Sequence, residues 1–235
     1  MAESMTKLKC VVVGDNINGC KTDLLRAYNN TYNHKHVPII TENCEIVTRT
    51  DGQEVSMILW DTTGQEQYRN MRLLSYPHTD VFIVCYSIGS QTSFTNVVNT
   101  WVPEILRCCP KSPFVLVGLN SELRKNESAD EKVRLPLEHN SLVANRVAQK
   151  QGECLGAARV LECSAATRVG IHIVLDEATK VALSARNRRR ASKAKDKQTV
   201  VYIQTEKDDW RDTDYKRKDT GAGESEHLAL HLAIK

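Results

Sequence analysis

Apolar and polar positions follow two rhythms along the first 186 residues. Leu8–Val13 is a continuous apolar run that stops at Gly14, the pattern of a strand buried on both faces. Thr22–Tyr28 then has helical spacing. Cys44–Arg49 and Val55–Trp60 flank Asp51–Gly52, a strong short-range hairpin signal. Val81–Ser87 and Phe114–Val117 are further buried runs, and Val160–Cys163 is a short sixth strand. Phe94–Arg107, Leu142–Gln151 and Ile171–Arg186 have helical spacing. Strands alternating with helices predict an α/β fold: a six-stranded, mostly parallel sheet with helices on both faces and one antiparallel edge strand from the hairpin. Ligands of such sheets bind at the carboxyl ends of the strands. The loops after strands one, three, five and six are therefore the ones expected to carry chemistry.

After Arg190 the pattern changes. Val200–Gln204 can form a strand-like turn, while Lys207–Glu226 has almost no apolar content and is expected to be disordered. His227–Ile234 alternates apolar and small residues, and both a partner-binding segment and a frayed end fit it. The 235 residues, 41% hydrophobic and 26% charged, suffice for one packed domain with extras. No apolar run approaches the roughly 20 residues of a membrane span, and the first residues do not resemble a secretory signal. That predicts a cytoplasmic chain with its eight cysteines reduced. Cys10, Cys85 and Cys163 lie in apolar runs and are expected in the core. No C-x-x-C pair occurs, so no structural zinc site is expected. The net charge of +3 hides an asymmetry: residues 186–197 carry seven basic side chains against Asp196 alone.

The loop after the first strand is Gly14-Asp15-Asn16-Ile17-Asn18-Gly19-Cys20-Lys21-Thr22, and a helix follows. A phosphate-binding loop requires this context: glycines let backbone N–H groups face a phosphate, a Lys reaches its outer oxygens, and a hydroxyl holds Mg²⁺. The spacing G-x-x-x-x-G-K-[ST] is not met, because Cys20 separates Gly19 from Lys21. One extra residue is up to about 3.5 Å of chain. Either the loop bulges and Lys21 and Thr22 still serve, or Cys20 takes the Lys position and the charge is lost. The loop after the third strand offers Asp61 for Mg²⁺, Gly64 for an N–H to a γ-phosphate and Gln65 to orient an attacking water.

Residues 7–186 resemble a small GTPase of the Ras superfamily, and specifically the Rho family, after a short extension at 1–6. The resemblance is carried by Lys9-Cys10-Val11-Val12-Val13-Gly14-Asp15 and by Trp60-Asp61-Thr62-x-Gly64-Gln65-Glu66-x-Tyr68. Leu74-Ser75-Tyr76-Pro77, Trp101-x-Pro103-Glu104 and Leu161-Glu162-Cys163-Ser164-Ala165 add to it. It implies a P-loop small G-domain that binds GTP/GDP with Mg²⁺, the metal on Thr22 and Asp61, and Gln65 as the catalytic residue. It also implies a Rho-type signalling role in cytoskeleton and polarity, with effectors and regulators docking through 37–44 and 61–77.

Three departures define an atypical member. The family's switch I Thr is replaced in Val37-Pro38-Ile39-Ile40-Thr41, where Ile39 has no hydroxyl for the metal. The guanine-reading Lys and Asp become Asn120 and Glu122, while the Ser164–Ala165 loop is kept. The third is Cys20. Charge-assisted hydrogen bonds contribute about 1.5–3 kcal/mol each, so nucleotide binding and hydrolysis are expected to be weak or, for hydrolysis, absent. A nucleotide-independent pseudo-GTPase acting as a protein-binding scaffold is the alternative. The stretch Lys125–Ser141 takes the place of the Rho helical insert. No cysteine follows Cys163, so no prenyl anchor is expected. The basic stretch 186–197 suits transient contact with an anionic membrane, nuclear targeting or a solvated helix end; no specific nucleic-acid partner is expected.

Overall fold

The centre of the sheet is β1 (Thr6–Gly14), whose residues from Cys10 to Gly14 are all buried. The structure, a computed structural model, describes residues 5–15, 20–28, 43–50, 52–126, 142–192 and 194. β2 (Asn43–Thr50) and β3 (Gln53–Asp61) form the expected hairpin, followed by β4 (Val81–Ser87), β5 (Phe114–Leu119) and β6 (Arg159–Cys163). The strand order is β2-β3-β1-β4-β5-β6. β2 pairs antiparallel with β3, and the four remaining pairings are parallel. The antiparallel edge strand and the mostly parallel sheet are thus as the hydrophobic pattern predicts.

Successive residues of a strand face opposite sides, and β1 separates two cores accordingly. Leu8, Cys10 and Val12 pack with Leu24 and Leu25 of α1 (Cys20–Tyr28) and with Ile171, Val174, Leu175 and Ala178 of the last helix. Val11 and Val13 pack with Phe82, Val84, Trp101 and Ile105. Cys10, Cys85 and Cys163 are buried in the first core, as expected of small apolar residues.

Local structure departs from the expected elements at several points. A 3-10 turn, Glu66–Tyr68, leads into α2 (Arg69–Leu74), which the apolar pattern does not announce. The expected helix Phe94–Arg107 is longer and broken: α3 (Gln91–Asn96), a π turn Val97–Trp101, then α4 (Val102–Cys108). Ser90 starts it by accepting the Ser93 N–H. Ser121–Asn126 forms a 3-10 helix, and α5 (Asn145–Leu155) starts three residues later than the pattern suggests. The last helix covers 171–192, past Arg186, since its Ala and Arg residues are good helix formers and no Gly or Pro stops it. The chain divides into Met1–Arg186 and Asn187–Lys235. Residues Asn16–Gly19, Val37–Thr41, most of the Lys125–Ser141 stretch and the segments from 195 onward lie outside the described residues.

Gly152 sits inside α5 against β6, and a Cβ there would lie 2.3 Å from Val160 Cγ2. Gly152→Ala is therefore expected to lower stability by about 1–3 kcal/mol through overpacking, measured as a fall in the denaturant midpoint with an unchanged m-value.

Candidate functional site

The carboxyl ends of β1 and β3 bring the first two loops together. Gly14 closes β1 with φ +143, and a Cβ there would lie 2.3 Å from the Cys85 carbonyl oxygen. No other residue type fits that approach. Asp15 follows, its carboxylate accepting from Asn96 Nδ2 at 2.7 Å and from Trp101 Nε1 at 2.8 Å. The helix then begins at Cys20. The Lys21 side chain is buried, only 3% exposed, and its Nζ donates to the Asp15 carbonyl at 3.4 Å. Among the described residues no carboxylate lies within ion-pair distance of it. A buried ammonium with no counter-charge is costly, so this position favours an anion. Thr22 Oγ1 donates to Asp61 Oδ2 at 2.7 Å. Lys21 and Thr22 are thus the residues whose side chains meet the β1 and β3 ends.

That pair of hard oxygens fits Mg²⁺, which takes one or two protein oxygens and completes its shell with water and phosphate. Among the described residues no group of three His, Cys, Asp or Glu forms a metal cluster.

After β3, Thr62 Oγ1 donates to the Val12 carbonyl at 2.7 Å and ties the loop to β1. Gln65 N–H donates to Thr63 Oγ1 at 3.3 Å, and the Gln65 side-chain oxygen accepts from Gln67 on the exposed side. The backbone around Gly64 is held by Arg72, which donates to the Thr63 carbonyl at 3.1 Å and the Gln65 carbonyl at 3.4 Å. Arg72 also meets Glu104 in a two-pronged pair, Nε to Oε1 at 3.0 Å and Nη2 to Oε2 at 2.9 Å. Tyr76 Oη donates to Glu104 Oε1 at 2.6 Å and Arg69 Nε to Oε2 at 3.0 Å. The Arg72 guanidinium lies 4.7 Å from the Trp101 ring centroid. Burial alone would raise the Glu104 carboxyl. The bonds from Arg72 and Tyr76 outweigh it and hold the group below the ordinary carboxylate range.

The ends of β5 and β6 form the third part. Asn120 has φ +66, a left-handed conformation that Asn tolerates. Its Oδ1 accepts from Ser87 Oγ at 3.2 Å, and its Nδ2 donates to Glu122 Oε1 at 3.3 Å. Glu122 Oε2 is buried with no hydrogen-bond partner among the described residues. Arg124 grips both oxygens of Glu162 at 2.7 and 2.6 Å, joining the 3-10 helix after β5 to β6. Ser164 is buried; its Oγ accepts from the Thr167 N–H at 3.0 Å, and its own N–H donates to the Val169 carbonyl at 2.9 Å. The Ser164 N–H is therefore used within the loop, and Ala165 follows it half-buried. Burial pushes the Cys163 thiol up to about 12, so it is a packed thiol, not a nucleophile.

A family model described as Ras, the Ras family, matches residues 9–184. The chain belongs to the Ras family. Ras-family domains bind GTP or GDP with Mg²⁺ and act as signalling switches through effectors and regulators. In this Ras-family chain, Gly14, Asp15, Lys21, Thr22, Asp61, Gly64 and Gln65 gather around the β1 and β3 ends, and Asn120, Glu122, Ser164 and Ala165 around the β5 and β6 ends. Asn16, Ile17, Asn18 and Gly19 lie outside the described residues. Sequence reasoning did not assign Arg72, although its partners Tyr76, Trp101 and Glu104 all lie in the quoted motifs. The acidic Glu104 inside the helical stretch Phe94–Arg107 was the available signal, since a charge there needs a buried partner.

Glu104→Gln leaves Arg72 a buried cation with a weaker partner, at a cost of about 3 kcal/mol. The sign with pH follows from the depressed carboxyl: its stabilisation is present above the ordinary value of 4.5 and is lost as pH falls through the lower folded value. The Tm gap between wild type and Glu104→Gln should therefore be constant near neutrality and narrow below pH 4.5.

Proposed function

We propose that this chain is a divergent, Rho-like small GTPase, a GTP/GDP-binding signalling switch whose nucleotide is held loosely. The observation that carries the reading is the Thr22–Asp61 contact of 2.7 Å beside the buried ammonium of Lys21, which has no carboxylate in ion-pair range among the described residues. Lys21 would neutralise phosphate oxygens, and Asp15, braced by Asn96 and Trp101, keeps the carbonyl that orients Lys21 in place. Thr22 and Asp61 would hold Mg²⁺, whose charge supports the phosphates when bound. Gly64 would offer its N–H and Gln65 would orient the attacking water, both on a backbone fixed by Arg72.

Weak binding is supported by the third part of the site and by switch I. Glu122 carries its carboxylate one methylene further out than Asp, and Asn120 already donates to it. Ile39 brings no hydroxyl to the metal. Partners would meet the chain at 37–44 and 61–77, where Met71 and Leu74 of α2 are 52% and 80% exposed. The basic stretch 186–197 would touch anionic membrane transiently at about 1 kcal/mol per charge, in an otherwise cytoplasmic protein. The Rho assignment, with a role in cytoskeleton or polarity, rests on the Leu74–Pro77 and Trp101–Glu104 motifs. A nucleotide-independent scaffold is the second reading, favoured by the hydrogen bond between Asn120 and Glu122.

The test is to purify the chain, denature it and identify released nucleotide by chromatography. Less than one equivalent of GDP or GTP is expected, with a Tm that rises on adding GTP·Mg²⁺. An empty, folded protein whose Tm ignores GTP·Mg²⁺ would leave only the scaffold reading. Glu122→Asp shortens the reach of the carboxylate and should tighten GTP about tenfold, the equivalent of 1.4 kcal/mol, by competition titration.

A further inference from the structure

Cys10, Cys85 and Cys163 are packed in the core, where burial pushes each thiol up and makes it inert. Cys108 and Cys109 differ from them. They are adjacent, they end α4, and they lie where the chain turns towards the amino end of β5. Cys108 is the last helical residue and is exposed, while Cys109 is half-buried. The Cys109 backbone has already left helical dihedrals, with φ −138 and ψ 60. Its Sγ donates to the Tyr76 carbonyl at 3.4 Å. That carbonyl also accepts from the Thr79 N–H at 3.3 Å and the Thr79 hydroxyl at 2.8 Å, so it stays satisfied when Cys109 gives up its proton. Burial first, and then the neighbouring Cys108 sulfur, push the Cys109 thiol up; the Lys9 ammonium pulls the other way. Lys9 is itself held by the Pro77 carbonyl at 2.9 Å and lies over the Trp60 ring at 4.5 Å. The pair is thus unequal: an exposed sulfur that solutes can reach stands beside one that is kept as a thiol.

We propose that Cys108 and Cys109 form a reversible oxidation site for hydrogen peroxide, with Cys108 as the attacking sulfur and Cys109 as the resolving one. The Cys108 thiolate attacks one peroxide oxygen. An S–O bond forms, the O–O bond breaks, and the departing hydroxide takes up the proton that the Cys108 thiol released, giving water and a sulfenic acid. The Cys109 sulfur then attacks the Cys108 sulfur. An S–S bond forms, the S–O bond breaks, and the hydroxyl leaves as water with the Cys109 proton. Two thiols lose two electrons, and one peroxide becomes two waters. Adjacent Cα atoms lie about 3.8 Å apart, below the roughly 4.4–6.8 Å usual for disulfides. The bond is therefore strained, and strained, exposed disulfides are the easily reduced kind. The pair sits at the amino end of β5, whereas the candidate site lies at the carboxyl ends of the strands. This goes beyond the switch reading above and does not need it.

Differential thiol labelling of the full chain tests the proposal. The reduced protein is exposed to hydrogen peroxide, its remaining thiols are alkylated, and its peptides are mapped by mass spectrometry. The expected product is a 108–109 peptide that has lost two hydrogens, resists alkylation and regains both thiols with reduced glutathione. Cys109→Ser keeps a donor for the Tyr76 carbonyl but removes the resolving sulfur. The Cys108 sulfenic acid should then persist, and its capture by dimedone should rise about fivefold over wild type. In Cys108→Ser, Cys109 should stay alkylatable at the same peroxide dose. Cys154, exposed and with no adjacent cysteine, is the internal reference and should take up dimedone equally in all three proteins. Equal dimedone capture at Cys108 in wild type and Cys109→Ser would overturn the proposal. So would a 108–109 pair that stays reduced, one that passes to sulfinic acid without a disulfide, or a disulfide to another cysteine or to a second chain. If Cys109→Ser does not fold, the other two proteins decide it. A 108–109 disulfide in wild type with an alkylatable Cys109 in Cys108→Ser supports the site, and Cys109 oxidised in both overturns it.

Discussion

Arg72 and Glu104 are 32 residues apart in the chain and meet inside the fold with two charge-assisted bonds. Burying either charge by itself would cost several kcal/mol. Together, and with Tyr76, Arg69 and two backbone carbonyls saturating their remaining positions, they form a unit with few alternatives of comparable energy. Three things depend on it. The helix Arg69–Leu74 is anchored to Val102–Cys108, the backbone around Gly64 is fixed, and Trp101 is held where its N–H reaches Asp15. The pair therefore ties the loop after β1 to the loop after β3 through side chains, in addition to the sheet that already joins their strands.

The site that results is uneven. At the β1 and β3 ends lie a glycine that admits the Cys85 carbonyl, a buried ammonium, and a hydroxyl already bonded to the β3 carboxylate. The β5 and β6 ends are partly occupied with themselves. Asn120 donates to Glu122, and Ser164 donates to Val169, so groups that could meet a ligand already have internal partners. A ligand there must compete with these bonds and gains only the difference. The two ends of the site thus differ in how far their polar groups are already paired within the chain. Among the described residues, Asn120 and Glu122 lie outside the cores on both faces of the sheet.

Much of this was legible along the chain. The apolar runs of β1, β4 and β5 can only be strands buried on both faces, and Asp51–Gly52 can only join neighbours. The candidate loops followed from the strand ends. The Gly19-Cys20-Lys21 spacing left two registers open, because a backbone pattern does not say where an extra residue is absorbed. The residues before Cys20 lie outside the described ones, while Lys21 and Thr22 meet the Asp15 carbonyl and Asp61. The helix Arg69–Leu74 was not legible, because its inward face presents Arg72, a charge, where a periodicity argument looks for an apolar residue. The π turn at Val97–Trp101 was hidden for a related reason: it is stabilised by what Asn96 and Trp101 reach, not by its own composition.

By itself, the sequence determined the sheet, its buried strands and the Ras family. These are local or periodic properties, and burial of apolar surface reads them out almost without regard to neighbours. The tertiary structure decided which polar groups satisfy one another: Lys21 with the Asp15 carbonyl, Thr22 with Asp61, Asn120 with Glu122, and Arg72 with Glu104. Hydrogen bonds and ion pairs are short-ranged and directional. Their partners can lie anywhere in the chain, so only a folded backbone can say which of many chemically equivalent pairings is made.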